Sequence, residues 1–210
     1  MPTLFLIIGY SLILLIMSPV TNMIKTSVGL FVMAEEPQFD FDDIKLEDVK
    51  FTKATDKTEL KSSEIKYPHP GELYGKIAVP DVGVDVPLFF GDTLEILRYG
   101  AGQYMSSKFP GEIGTTIVGD HNGNQFGKLN NAEIGMLVNL STTYGEYQFR
   151  IISKDIKNKD DAMVTSLLFQ KKEPLLLLYT CYPIDSIGRT DDRIFVQCEY
   201  VSGPLINENE

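Results

Sequence analysis

Four consecutive leucines, Leu175 to Leu178, stand between Pro174 and Pro183 and run directly into Tyr179, Thr180 and Cys181. An apolar run that does not alternate belongs to a segment covered on both faces, either a helix buried all round or a strand with a layer on each side. The prolines leave room for a strand of ordinary length, so a buried strand is the reading. It requires an architecture in which a sheet has no solvent face at that point, and it delivers a thiol to the rim of the core.

The surrounding sequence supplies such a sheet. From about Pro68 short alternating runs are broken by Gly, Pro, Asn and Asp, the pattern of an all-β sandwich or barrel. Leu73, Gly75, Ile77 and Val79 alternate, as do Val82, Val84, Val86 and Leu88 after Pro80-Asp81, which predicts a hairpin. In "DTLEILRYG", Asp92 or Thr93 serves as N-cap, Leu94, Ile96 and Leu97 form a stripe and Gly100 a stop, which predicts one short helix. Further strands are expected over 115–119, 136–141, 146–153, 175–180 and 193–201, seven or eight in all. Closure into a barrel would remove their edges.

The chain has 210 residues, 43% of them hydrophobic, enough for one sizeable core. Its net charge of -10 disfavours a nucleic-acid partner. Thr3 to Val20 carries no charged side chain, and about 18 helical residues cross most of a bilayer core, so residues 1–21 are expected to form a transmembrane anchor rather than a cleaved signal. Residues 22–66 turn acidic and read as a solvated spacer with at most a short ordered strand or helix near the domain. That assigns 67–204 to the folded domain and 205–210 to a tail.

Two cysteines and two histidines make the search for chemistry short. A nucleophilic cysteine acts as thiolate and needs a nearby imidazole or cation. His121, in "TTIVGDHNG", ends a β-branched strand, whereas His69 lies between two prolines in a loop before the domain. Arg193 opens the last long strand, twelve positions after Cys181, and its fork of charged donors suits a developing oxyanion; Arg189, in the loop "DSIGRTDD", ranks second. Cys198 alternates with Ile194, Val196 and Tyr200 and is expected in the core. Asp185, Asp191 and Asp192 either orient the site or are solvated loop charges.

With "IVGDHN", "LLLLYTCYP" and "DRIFV" in this order, the chain resembles the sortases, and the likeness extends over about Gly71 to Tyr200 through "GELYGKIAVPDVGVDVPLFFG" and "LRYGAGQYMSSKFPGEIGTTIVGDHN". The resemblance implies a closed β-barrel and cysteine transpeptidation at a Leu-Pro-x-Thr-Gly-like sorting motif. It implies catalytic roles for Cys181, His121 and Arg193, and weaker substrate-binding roles for Thr180, Tyr182 and Pro183, of which Tyr182 and Pro183 alternatively just form the turn. Asp120 departs from the pattern, since many members have Gly-His directly.

The resemblance further implies sorting-motif surface proteins and a cell-wall amine as partners, no cofactor, a monomeric catalytic domain, and attachment to the cell membrane by a single pass with that domain outside. "TCYP" with the N-terminal span leans toward class D, with class A second. No metal is expected, because Glu112 stands nearly alone where some class A members gather acids for calcium. A cysteine hydrolase on the same barrel, and a non-catalytic membrane-tethered β-domain that binds envelope proteins, remain as alternatives.

Overall fold

A computed structural model describes residues 49, 51–52, 58–186 and 190–208. The expected transmembrane anchor, most of the acidic spacer and Arg189 lie outside them. Among the described residues no helix is long and apolar enough to cross a membrane.

Eight strands close into a barrel in the order β2-β3-β4-β5-β8-β9-β7-β6. They are β2 (Leu73–Val79), β3 (Val84–Phe90), β4 (Ala101–Gln103), β5 (Gly114–Gly119), β6 (Leu137–Thr142), β7 (Glu146–Asn158), β8 (Pro174–Tyr182) and β9 (Asp192–Ser202). The hairpin expected from the alternating runs is present, β2 pairing antiparallel with β3. Its connection is a tight 3-10 turn, Pro80–Val82, which takes Val82 out of the strand and closes on Gly83 at φ 69°, a left-handed conformation that glycine adopts without steric cost. The eight-stranded closure agrees with the all-β barrel read from the sequence, and it leaves no exposed barrel edge.

Three features differ from expectation. "DTLEILRYG" makes only a 3-10 turn at Ile96–Arg98, with the Ile96 N–H donating to Thr93 Oγ1 at 3.3 Å. Of its stripe only Ile96 is buried, while Leu94 is 64% exposed, so nothing sustains a longer helix. Second, β7 runs to Asn158 and is followed by a helix α1 (Ala162–Leu168), whose N-cap Asp161 accepts from the Met163 N–H at 2.8 Å. Third, the expected tail forms β10 (Leu205–Asn207), which pairs in parallel, outside the barrel, with β1 (Glu59–Lys61), a short strand of the kind the spacer near the domain allowed.

β8 is the strand that the four leucines require. Leu176 and Leu178 point into the barrel with Val118, Ile151 and Val196. Leu177 points outward and packs with Ile117 and Phe195 beneath Met163, Val164, Leu167 and Leu168 of α1. Both faces are covered, one by the barrel core and one by the helix. Thr115 pins the helix to β5, donating through Oγ1 to the Leu167 carbonyl at 2.6 Å. Cys198 is fully buried, inward-facing as its register predicts.

Candidate functional site

Three neighbouring strands bring Cys181, His121 and Arg193 to one end of the barrel. β5 runs parallel to β8 with Gly119 opposite Tyr179, so the next two positions of β5, Asp120 and His121, continue alongside Thr180 and Cys181. On the other side of β8, antiparallel β9 places Arg193 directly opposite Cys181. Neighbouring strands lie about 4.8 Å apart, which keeps all three side chains within reach of one small group. Cys181 follows Leu177 and Tyr179 at two-residue spacing and so stands on the outer face, at the open end of the layer that α1 covers.

The strand ends are tied by hydrogen bonds at the position where pairing stops. The Asp120 N–H donates to the Tyr179 carbonyl at 3.3 Å, and Thr180 Oγ1 donates back to the Asp120 carbonyl at 2.8 Å. Beyond them the turn that carries His121 closes through the Asn124 N–H to the His121 carbonyl, 3.1 Å. Asn122 Nδ2 reaches across to the carbonyls of Pro183 and Ile184 at 3.1 and 3.0 Å, joining the loop after His121 to the loop after Cys181. Arg193 is held from its own loop: Nη1 donates to the Thr190 carbonyl at 2.5 Å and to the Asp192 carbonyl at 2.8 Å. Neutral carbonyls fix the guanidinium without cancelling its charge.

A cavity of about 550 Å³ gathers these groups, lined by Asp120, His121, Cys181 and Arg193 with Leu94, Leu97, Tyr179 and Asp191. An adjoining cavity of about 340 Å³ shares Tyr179, Arg193 and Lys159 with it and continues between α1 and the sheet over Ile117, Val164, Leu168 and Phe195. Together they make a trough with an apolar stretch at one end and the thiol, imidazole and guanidinium at the other. Tyr179 forms the shared wall. Its ring lies so close over β5 that a Cβ on Gly119 would come within 2.3 Å of it, and burial pushes its hydroxyl up to about 12.

The remaining residues singled out from the sequence divide cleanly. Thr180 is fully buried and spends its hydroxyl on Asp120, Tyr182 packs against the barrel core, and Pro183 is exposed in the turn; none of the three lines the cavity around Cys181. Asp191 does line it, with Lys159 Nζ 3.8 Å from its carboxylate, whereas Asp185 and Asp192 do not. His69 is exposed in its loop. Both thiols are free, and Cys198 lies opposite Leu176, five pairs along β9 from the Arg193–Cys181 pair, with its side chain on the inner face.

Sequence reasoning missed Tyr179, Lys159, Asn122, Asn124 and the helix that roofs the trough. The helix had a signal: an Asp161 cap followed by Met163, Val164, Leu167 and Leu168 at one-face spacing. The polar residues had none, because their role depends on which strand ends meet.

Residues 77–201 match the family model of the sortase domain. The chain is 29% identical over 143 residues to sortase D of Bacillus subtilis, covering 68% of this chain and 70% of that one. Among solved structures it is similar to a Clostridium perfringens sortase D5 transpeptidase, with TM-score 0.56 and 22% identity over 67% of this chain and 84% of that one. It is likewise similar to Clostridium perfringens sortase C solved with its C-terminal cell wall sorting motif, with TM-score 0.56 and 21% identity over 64% of this chain and 73% of that one. At these identities the solved structures speak for the shared fold.

Proposed function

The chain belongs to the sortase family of cysteine transpeptidases, and on that premise we propose that Cys181 is its nucleophile, His121 its acid and base, and Arg193 the group that receives negative charge on the reacting carbonyl oxygen. The observation that carries this reading is the convergence of these three side chains, from three adjacent strand ends, on one cavity.

The Cys181 thiolate attacks the carbonyl carbon of the threonine in a Leu-Pro-x-Thr-Gly-like motif, and the oxygen of that carbonyl gains the electron pair beside Arg193. The carbon–nitrogen bond then breaks, the departing amine taking a proton from His121 and the acyl group remaining on sulfur. An amine of the cell wall enters next, gives a proton back to His121 and displaces the thiolate. The apolar stretch of the trough suits the Leu-Pro portion of such a peptide, since Ile117, Val164, Leu168 and Phe195 offer it apolar surface. The sequence placement of an uncharged run at 3–20 supports an enzyme tethered to the membrane by that run, with the catalytic domain facing the wall. Class D membership accords with the kinship to Bacillus subtilis sortase D.

The test is a quenched sorting-motif peptide incubated with the enzyme, with and without amine donors, the products identified by mass. Cys181→Ala is expected to abolish cleavage, and His121→Ala and Arg193→Ala to lower kcat/KM by about two to four orders of magnitude while the domain stays folded. Ligated product with an added amine distinguishes the transferase from a hydrolase; release to water alone under every amine would remove transpeptidation. Full activity in Cys181→Ala would remove the site assignment.

A further inference from the structure

Asp92 lines the trough without a structural task there. The sequence offers Asp92 or Thr93 as the cap of the turn that follows, and the turn uses Thr93: the Ile96 N–H donates to Thr93 Oγ1 at 3.3 Å and the Leu97 N–H to the Thr93 carbonyl at 3.0 Å. Among the described residues Asp92 has no ion pair, and its carboxylate accepts only from its own backbone N–H. Burial raises this carboxyl above its ordinary range, and no neighbouring cation acts against it. A half-buried carboxylate beside Ile117, Tyr104 and Tyr179, with no partner of opposite charge, costs free energy that a bound cation would recover.

Two glycines side by side bring this carboxylate to the path of the peptide. Gly102 of β4 lies opposite Gly119 of β5. A Cβ on Gly102 would come within 3.0 Å of the Asp92 Cα, as one on Gly119 would meet the Tyr179 ring at 2.3 Å, so the Asp92 backbone and the Tyr179 ring lie close on neighbouring strands. The Tyr179 hydroxyl, raised first by burial, is raised further by the negative charge of Asp92. Tyr179 is two positions before Cys181 on β8, about 7 Å along the strand. Among the described residues, six charged side chains besides His121 line the two cavities: the acids Asp92, Asp120, Asp160 and Asp191, and the cations Lys159 and Arg193. Both cations are already engaged. Lys159 Nζ stands 2.5 Å from Asp160 and 3.8 Å from Asp191, and Arg193 donates to the carbonyls of Thr190 and Asp192.

We propose that Asp92 is a specificity-determining residue that selects a basic side chain at the x position of the sorting motif, with the Tyr179 ring beneath the stem of that side chain. The inference rests on the reading above, in which the threonine reacts at Cys181 and Leu-Pro lies on the apolar stretch. The x residue then crosses the Tyr179 wall between them, one extended residue, about 3.3 Å, before the threonine. The methylenes of a lysine cover the ring there, and its ammonium gains both the ring face and the carboxylate of Asp92. A glutamate at x meets that carboxylate as a like charge, and Lys159, held by two acids, offers it little in return. The excess of acids along the trough acts in the same direction for any basic peptide.

The test compares three quenched peptides, Leu-Pro-Lys-Thr-Gly, Leu-Pro-Gln-Thr-Gly and Leu-Pro-Glu-Thr-Gly in a common flanking sequence, on the full chain and on Asp92→Asn and Asp92→Lys. The readout is the ratio of kcat/KM for lysine over glutamate at x, which a partial loss of folded enzyme leaves unchanged because it lowers both rates alike. The parent is expected to favour lysine by about tenfold or more, with glutamine between. Asp92→Asn, equal in size and uncharged, should reduce that ratio by about fivefold or more, and Asp92→Lys should bring it below one. An equal rate for the lysine and glutamate peptides in the parent, or a lysine preference that persists undiminished in both variants, would overturn the role of Asp92 and leave the transpeptidase reading standing. Cleavage of none of the three peptides by the parent, or cleavage that persists in Cys181→Ala, would overturn that reading and this inference with it.

Discussion

The two cysteines of this chain sit in opposite environments a few residues from each other across one strand pair. Cys181 is partly exposed at a cavity with an imidazole and a guanidinium, while Cys198 is fully buried and burial pushes its thiol far above the ordinary range. A neutral alkylating reagent should therefore label Cys181 in the native protein, with Cys198 slower by about three orders of magnitude because it reacts only when the barrel opens. Mass spectrometry of peptides over a time course checks this, and equal rates would contradict the burial. Thr180 offers a second residue-scale outcome. Thr180→Val keeps the side-chain shape but leaves the Asp120 carbonyl without its hydroxyl donor, so stability should fall by about 1–3 kcal/mol in denaturant melts. Activity should fall further than that loss explains, because the same bond sets the spacing of His121 and Cys181.

Among the elements, β5, β8 and α1 work as one device. β8 is apolar on both faces because the barrel takes one and α1 takes the other, and Tyr179 packs beside that outer layer and lies over Gly119 of β5. Gly119 permits that overlap. In Gly119→Ala the new methyl meets the Tyr179 ring at 2.3 Å, and the ring must shift out of the wall between the two cavities. The expected cost is about 1–3 kcal/mol of stability, with KM for a sorting-motif peptide rising more than kcat falls, as steady-state kinetics would show. An unchanged KM would mean that the Tyr179 wall does not contact the peptide.

For the molecule as a whole, the fold reaches past the boundaries that the barrel suggests. β1 lies in what reads as spacer, and β10 in what reads as tail. Their pairing buries Ile206, whose N–H donates to the Gly111 carbonyl at 2.8 Å, and Thr52 bonds to the carbonyls of Thr142 and Thr143. A domain begun at Lys66 should accordingly melt several degrees below one begun at Phe51, with little change in kcat, since none of these contacts touches the trough. Equal melting temperatures would show the β1–β10 pair to be dispensable. What the sequence by itself determined is local in origin: alternation, turn residues and a leucine run enclosed by prolines dictate strands and a barrel, and a scarcity of cysteine and histidine narrows the candidates for the proposed chemistry to Cys181 and His121. Arg193 was legible as the cation opening the next strand. What only the tertiary structure decided depends on strand register. The shortness of the turn at Ile96–Arg98 follows from what packs against it, the roof over the trough from α1 meeting Ile117 and Phe195, and the placing of Asp120, Asn122, Asn124 and Tyr179 from the parallel meeting of β5 and β8, residues some sixty positions apart. Period and composition carry the first kind of information because each residue's own geometry sets them; the second arises only when distant backbones hydrogen-bond, and nothing in either segment alone encodes that partner.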